Sequence, residues 1–412
     1  MHLGARAMHY DLIIIGMGLS GLMAAKTAVD AGKKVLLVGK GMGSLVLFSN
    51  TIDVLGNLPP RMKLGDHLAQ WAQDHPEHPY GKVGVEHILG ALISFSSLFT
   101  RSYTFESPGD ENCDILTATG TFRSTYLVPN TMISGISLKK GETLFVGFQG
   151  FKDFYANYLA HPLSCRAITL SPSGSSHGEM TATAIARLLE KDPVRKRIGE
   201  EVKAQLRGET RVGFPALLGL NDPLTIKGDL ESLIGTEVFE IPTLPPSIPG
   251  KRIFDTFRDW LLRRGVTFLM GYPVSKVVLK GKRCDGIHVS HPPITNVYTA
   301  DRFILATGRF LGGGLVADET GISEPLYGLF VSQPSSRLDW FGRSFFDNHP
   351  IHYAGVVTDS SLRPIDERGE RVLENVWVAG SMLSHHNLIK EKSREGIEIS
   401  TGSMAALEAL ET

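Results

Sequence analysis

Cysteine is scarce in this chain: Cys113, Cys165 and Cys284 are the only three in 412 residues, and they lie far apart. No C-x-x-C occurs, so neither a thioredoxin-type disulfide nor an iron–sulfur or zinc site can be read. If the protein handles electrons, it has no cluster of its own to pass them along. Scattered cysteines suit a reducing compartment, where each packs as a small hydrophobe. An excess of one charge is lacking too. The net charge is -1, and no basic face points to nucleic acid. Long apolar runs are missing as well. The stretches around Leu12–Ile15 and Ile88–Phe99 are too short or too polar to span a bilayer. The first residues carry one Arg but no clean apolar signal core, so 1–8 are expected to be a leader, with Met8 as an alternative start to Met1. His75 and His78 among prolines, and Asp66 beside His67, do not assemble into a metal site, and none is expected. His161 and His177 read as loop residues.

What is present is a strand, a glycine turn, a helix and a strand between Tyr10 and Lys40. Asp11–Ile15 is a short apolar run, followed by Gly16-Met-Gly18-Leu-Ser20-Gly21 and then by a helical stretch to Ala31. Gly32 closes that helix, and Lys34–Val38 is the next apolar strand. A lone G-x-G-x-x-G is weak, but one inside a β-α-β unit of about 30 residues is the fingerprint of a dinucleotide-binding turn. Gly16 permits the tight turn, Gly18 lets backbone approach a phosphate, and Gly21 lets helix and strand pack closely. The helix N-terminus offers free N–H groups and a positive dipole end to an anion.

One part of that fingerprint is absent. The second strand normally ends in Asp or Glu, which accepts hydrogen bonds from an adenosine ribose. Here Val38 is followed by Gly39-Lys40-Gly41-Met-Gly43. An adenosine ribose loses its usual acceptor, whereas a lone phosphate loses nothing, and Lys40 favours it by charge. The reading leans to a mononucleotide, FMN, with FAD as the alternative.

The hydrophobic fraction of 42% is that of an ordinary globular chain, and the length calls for more than one domain. Amphipathic helices are expected over 65–74 and 85–99, strand pairs around Gly120, and a strand over 144–148. A helix over 151–159, a strand over 165–170 and a long helix over 181–206 interrupted near Pro193 come next. Helix 252–264 carries Phe254, Phe257, Leu261 and Leu262 at helical spacing, a stripe that reads as core. Three segments share one grammar, an apolar strand meeting glycine: Ile15-Gly16, Ala306-Thr307-Gly308 and Ala379-Gly380-Ser381. All three bring strand C-termini to one sheet edge, where open α/β sheets bind ligands. The expected fold is α/β: a Rossmann-like flavin-binding domain, a parallel sheet plus a small antiparallel meander, with an inserted second α/β domain. The expected boundaries are 9–100, 246–315 and 361–412 for the flavin domain, 101–245 for the insert and 316–360 for its return segment.

These pieces look like the two-domain flavoprotein fold with a glutathione-reductase-like flavin domain. Phe48–Leu55, Gly120–Leu127, Pro242–Ser247 and Ala306–Leu315, in order over nearly the whole chain, resemble the B-subunit family of anaerobic glycerol-3-phosphate dehydrogenase. The resemblance implies FMN, an FAD-bearing catalytic partner subunit and an iron–sulfur membrane-anchoring subunit. It implies oxidation of sn-glycerol 3-phosphate to dihydroxyacetone phosphate with reduction of quinone, in the cytoplasm, on the inner face of the membrane through those partners. The chain departs from the wider flavoprotein pattern at Ser381, where an Asp often follows the last glycine.

Expected cofactor contacts are Gly16, Gly18, Ser20, Gly21, Lys40, Ser49, Thr307, Gly308, Gly380 and Ser381. A hydride-abstracting flavoenzyme needs a base for the substrate hydroxyl and cations for its phosphate. His349, His352, His385 and His386 are the candidate bases, each also readable as an ordinary loop residue. Lys390 and Arg394 are the candidate phosphate ligands, in a run that alternates with Glu391 and Glu395 and reads equally as a solvated helix entry or a contact with a partner subunit. Two functions fit: a dehydrogenase subunit acting on glycerol 3-phosphate, and a non-catalytic flavin-binding relay or scaffold subunit. A stand-alone oxidoreductase of the fumarate-reductase-like group is a weaker third.

Overall fold

The computed structural model describes residues 9–58, 62–100, 103–172, 178–291 and 294–411. The leader 1–8, with the alternative start at Met8, and His177 lie outside the described residues. The chain forms two compact units. The first comprises 1–44, 65–95 and 256–412, and the second 45–64 and 96–255. Residues 45–64 therefore go with the second unit, and 316–360 with the first.

Eleven of the strands and four of the helices frame the two units. The strands are β1 (His9–Ile15), β2 (Val35–Gly39), β3 (Thr143–Phe148), β4 (Arg166–Leu170), β5 (Arg211–Pro215), β6 (Glu237–Ile241), β7 (Thr267–Met270), β8 (Val274–Lys280), β9 (Arg283–His291), β10 (Ile294–Leu305) and β11 (Val376–Val378). The helices are α1 (Leu19–Asp30), α2 (Val85–Ser96), α3 (Ile248–Arg263) and α4 (Arg394–Glu411).

In the first unit the sheet runs β7-β2-β1-β10, and all these neighbours are parallel. β10 is long enough to serve two partners along the edge away from β1. Its N-terminal half pairs antiparallel with β9 of the β8-β9-β10 meander, and its C-terminal half pairs parallel with β11. Ile13, Ile14, Leu36, Leu37, Phe303 and Ile304 have no solvent exposure, as strands covered on both faces require. The register fixes the functional edge. Ile15 lies opposite both Val38 and Leu305, and Leu305 opposite Val378. β1, β2, β10 and β11 therefore all end at one level, and Gly16, Gly39, Ala306–Gly308 and Ala379–Gly380 emerge side by side.

The second unit is built on β6-β5-β3-β4, again all parallel. Phe145, Val146, Val212, Phe214 and Val238 form its core with Ile185, Leu189 and Leu230. The strand pair around Gly120 is a hairpin, Cys113–Leu116 with Phe122–Thr125. The helix expected over 151–159 is confined to Ala156–Ala160, because Phe151 and Phe154 turn inward to the core from irregular backbone. The long helix is two, Ala182–Leu189 and Asp192–Gln205, the second with Pro in its first turn. On α3 the stripe buries Phe254, Phe257 and Leu261, but Leu262 is 48% exposed, so it is not core.

Candidate functional site

The glycine turn after β1 is closed by backbone. Gly16 donates its N–H to the Val38 carbonyl (2.8 Å), and Ala306 donates to the Ile15 carbonyl (2.8 Å). Gly16 has φ +121°, and a Cβ on it would lie 2.1 Å from the Ala306 carbonyl oxygen. A Cβ at Gly21 would lie 1.9 Å from the Gly16 carbonyl oxygen. Both positions require glycine for packing. Gly18 differs. It is the N-cap of α1, offers no side-chain cap, and a Cβ there would meet nothing within 4 Å. The first turn of α1 thus opens onto free space with its N–H groups unclaimed by a cap, an arrangement that fits a phosphate.

The neighbouring turns close on the same place. A Cβ at Gly43 would approach the Gly18 Cα to 2.9 Å, and one at Gly380 would approach the Ser20 hydroxyl to 2.1 Å. Gly308, at φ +73°, leaves the Ser381 hydroxyl 3.7 Å from where its Cβ would be. The Thr307 hydroxyl contacts the Met382 sulfur at 3.7 Å. Lys40 is exposed and its Nζ would stand 3.4 Å from a Cβ at Gly313. Nine of the ten expected cofactor contacts therefore belong to this one unit. Ser49 belongs to the second unit, where its hydroxyl pairs with that of Thr51 (3.3 Å).

Arg309, next to Gly308, ties three loops together. Its guanidinium donates to the carbonyls of Ser381 (2.6 Å), His352 (2.6 Å), His386 (3.2 Å) and Leu383 (3.3 Å). Burial pushes its pKa down to about 10, opposed by the Glu391 carboxylate. The residues after β10, after β11 and in the turn Pro350–Tyr353 are thereby fixed to one another.

The candidate bases sit around this arginine in different states. His349 accepts from the Gly342 N–H at Nδ1 (3.0 Å), leaving Nε2 to donate to the Phe345 carbonyl (3.0 Å). His352 stands edge-on to His349 at 5.2 Å and is pushed below its usual pKa by burial, then by His349 and Arg309. His385, at φ +64°, is half-buried and also lowered, chiefly by burial. His386 has no solvent exposure and is held well below the usual range by burial and by Arg309. Its Nδ1 lies 3.4 Å from the Ser384 carbonyl and its Nε2 has no hydrogen-bond partner.

Lys390 is exposed, whereas Arg394 is buried and its guanidinium is engaged with the Ser44 hydroxyl (2.8 Å) and with Glu395. Glu398, one turn on, is 3.5 Å from the same guanidinium, and burial raises its pKa to about 7. Sequence reasoning singled out neither carboxylate. Their i, i+3 spacing at the start of α4 was the signal, because it places both on one helix face. Beside them, Glu391 takes hydrogen bonds from His78 (3.2 Å), Asn387 N–H (2.7 Å) and Ser393 (2.9 Å). Burial pushes its pKa up, but these bonds prevail and hold it below the usual range. Among the described residues, no group of three His, Cys, Asp or Glu is placed to hold a metal ion, and no helix is long and apolar enough to cross a membrane.

Known proteins resemble the chain from end to end. The family described as FAD binding domain matches residues 11–393. The probable anaerobic glycerol-3-phosphate dehydrogenase B subunit of Halobacterium salinarum is 30% identical over 426 residues, covering 98% of this chain and 99% of the relative. The anaerobic glycerol-3-phosphate dehydrogenase B subunit of Vibrio cholerae is 30% identical over 430 residues, covering 98% of this chain and 97% of the relative. Among solved structures, the 3-ketosteroid delta1-dehydrogenase of Sterolibacterium denitrificans covers 98% of this chain at 13% identity, with a TM-score of 0.48.

Proposed function

Because this chain belongs to the B-subunit family of anaerobic glycerol-3-phosphate dehydrogenase and carries an FAD-binding domain, we propose that it is a flavin-bearing subunit of such a dehydrogenase. On this reading it oxidises sn-glycerol 3-phosphate to dihydroxyacetone phosphate and passes electrons to quinone through partner subunits. Those partners are an FAD-bearing subunit and an iron–sulfur subunit that holds the complex on the inner face of the membrane. The observation that carries the reading is the open N-terminus of α1 at Gly18, ringed by the turns after β2, β10 and β11. Such an edge receives a phosphate-bearing cofactor at the C-terminal ends of parallel strands. A bound flavin would supply the hydride acceptor. The chain supplies Gly18 for the phosphate approach, Gly16 and Gly21 to close the turn behind it, Lys40 for charge and Arg309 to hold the facing loops.

FMN is the proposed flavin, since β2 ends at Gly39 without a carboxylate for an adenosine ribose. The family description favours FAD. Acid release of the cofactor from the isolated chain, with chromatography of the released flavin, separates the two. Anaerobic addition of sn-glycerol 3-phosphate then tests the chemistry. Bleaching of the flavin by the chain alone supports the dehydrogenase reading, and no bleaching without the partner subunits contradicts it. The second reading, an electron-relay or scaffold subunit, is favoured by the histidines. His349 has both ring nitrogens engaged and His386 is wholly buried.

A further inference from the structure

The first unit contains a buried carboxylate with more hydrogen-bonding capacity than the protein satisfies. Glu398, on the second turn of α4, is 4% exposed. Its Oε1 accepts from the Ser44 hydroxyl at 3.4 Å, a long bond. Its Oε2 lies 3.5 Å from an Arg394 nitrogen and accepts no hydrogen bond, and Oε2 of neighbouring Glu395 accepts none either. Glu395 and Arg394 are themselves paired. One arginine thus faces two buried carboxylates. Leaving a buried acceptor without a donor is unfavourable, and such acceptors in folded proteins normally meet a protein group, a water or a ligand.

The place of this carboxylate gives the inference its direction. Ser44 follows Gly43, the residue that crowds Gly18 at the N-terminus of α1. A Cβ on Gly380 would lie 3.9 Å from the Glu398 Cγ and 2.1 Å from the Ser20 hydroxyl. Glu398 therefore borders two of the turns that frame the open end of α1, those after β2 and β11. A carboxylate cannot serve the phosphate there, since the charges repel. What it can serve is a hydroxyl. The chain has Gly39-Lys40 at the end of β2 and Ser381 after the last glycine, so neither strand end presents a carboxylate.

We propose that Glu398, steadied by Ser44, is the acceptor for the hydroxyls of the bound flavin, on its ribityl chain or on the ribose of an adenosine moiety. The inference rests on the flavin reading above. A carboxylate contributed by the terminal helix then does the work of the strand-end carboxylate that this chain lacks. Its raised pKa agrees with this, for burial and the neighbouring Glu395 charge drive the carboxyl towards the neutral form against the pull of Arg394 and Ser44.

The test is flavin affinity of the full chain stripped of cofactor, read by fluorescence quenching with lumiflavin, riboflavin, FMN and FAD. Glu398→Ala is expected to weaken binding about ten- to a hundredfold, the loss that accompanies a hydrogen bond to a charged group. Ser44→Ala, at a half-buried position, is expected to weaken it less and guards against a folding defect at 398. Loss with riboflavin, FMN and FAD but not lumiflavin assigns the ribityl chain. Loss with FAD alone assigns the ribose. Unchanged affinity of both variants for every flavin overturns the proposal and leaves a buried water as the partner of Glu398. Failure of the wild-type chain to bind any flavin overturns the flavin reading together with it.

Discussion

Each unit of this chain buries an arginine against glutamate, and the two arrangements differ in what they leave over. In the second unit Arg252 pairs twice with Glu240 (2.7 and 2.9 Å) and donates twice more to the Gly219 carbonyl. Glu240 in turn accepts from the Thr131 hydroxyl (2.7 Å) and the Leu218 N–H (2.8 Å). Each carboxylate oxygen has two donors. In the first unit Glu395 and Glu398 share Arg394 and each keeps an oxygen without one. A buried charge that only builds structure is saturated by the protein, because an unpaired one is costly. One left incomplete beside an open helix N-terminus is placed for something that the chain does not contain.

The sharpest way to break this comparison is to remove a partner from the saturated pair. Arg252→Ala leaves Glu240 buried and unpaired and is expected to cost about 3–5 kcal/mol in denaturant unfolding. A loss below about 1 kcal/mol would mean that the pair is not structural. Arg309→Met comes next. It strips donors from four carbonyls on three loops, and a stability loss of about 2 kcal/mol is expected, with faster amide exchange around 352 and 381–386.

A subtler effect concerns pH. Glu398 titrates near 7 in the folded chain against an ordinary 4.5, so the folded state holds its proton more tightly than the unfolded state does. Its contribution to stability is full below 4.5 and is lost as pH rises through 7. Without flavin, the wild type should lose stability between pH 4.5 and about pH 7 relative to Glu398→Gln, as urea midpoints would record. Parallel profiles would contradict the assignment. Lys390→Ala, at an exposed site, should change stability by less than about 0.5 kcal/mol and flavin content not at all.

The fold was largely legible because its signals are local. Apolar strands meeting glycine at 15–16, 306–308 and 379–380 do end on one edge, as their shared pattern implied. The small antiparallel meander is present as β8, β9 and the first half of β10. What was not legible depends on tertiary placement. Leu262 fits the apolar stripe of α3 yet faces solvent, since periodicity does not say how wide the covered face is. In the sequence Arg394 is one cation in a run of alternating charges. Only folding shows it enclosed by two neighbouring glutamates and by Ser44, 350 residues away in sequence. The same holds for Arg309, whose partners are backbone carbonyls and leave no trace in residue type.

We propose that the open end of α1 at Gly18 holds the flavin. Gly18→Val tests it most directly, because a Cβ there meets no protein atom within 4 Å and so blocks the ligand without disturbing the packing. Flavin content and melting temperature should be measured together on the purified wild type and variant. The expected variant melts with the flavin-free wild type and carries no flavin. A variant with full flavin content would contradict it.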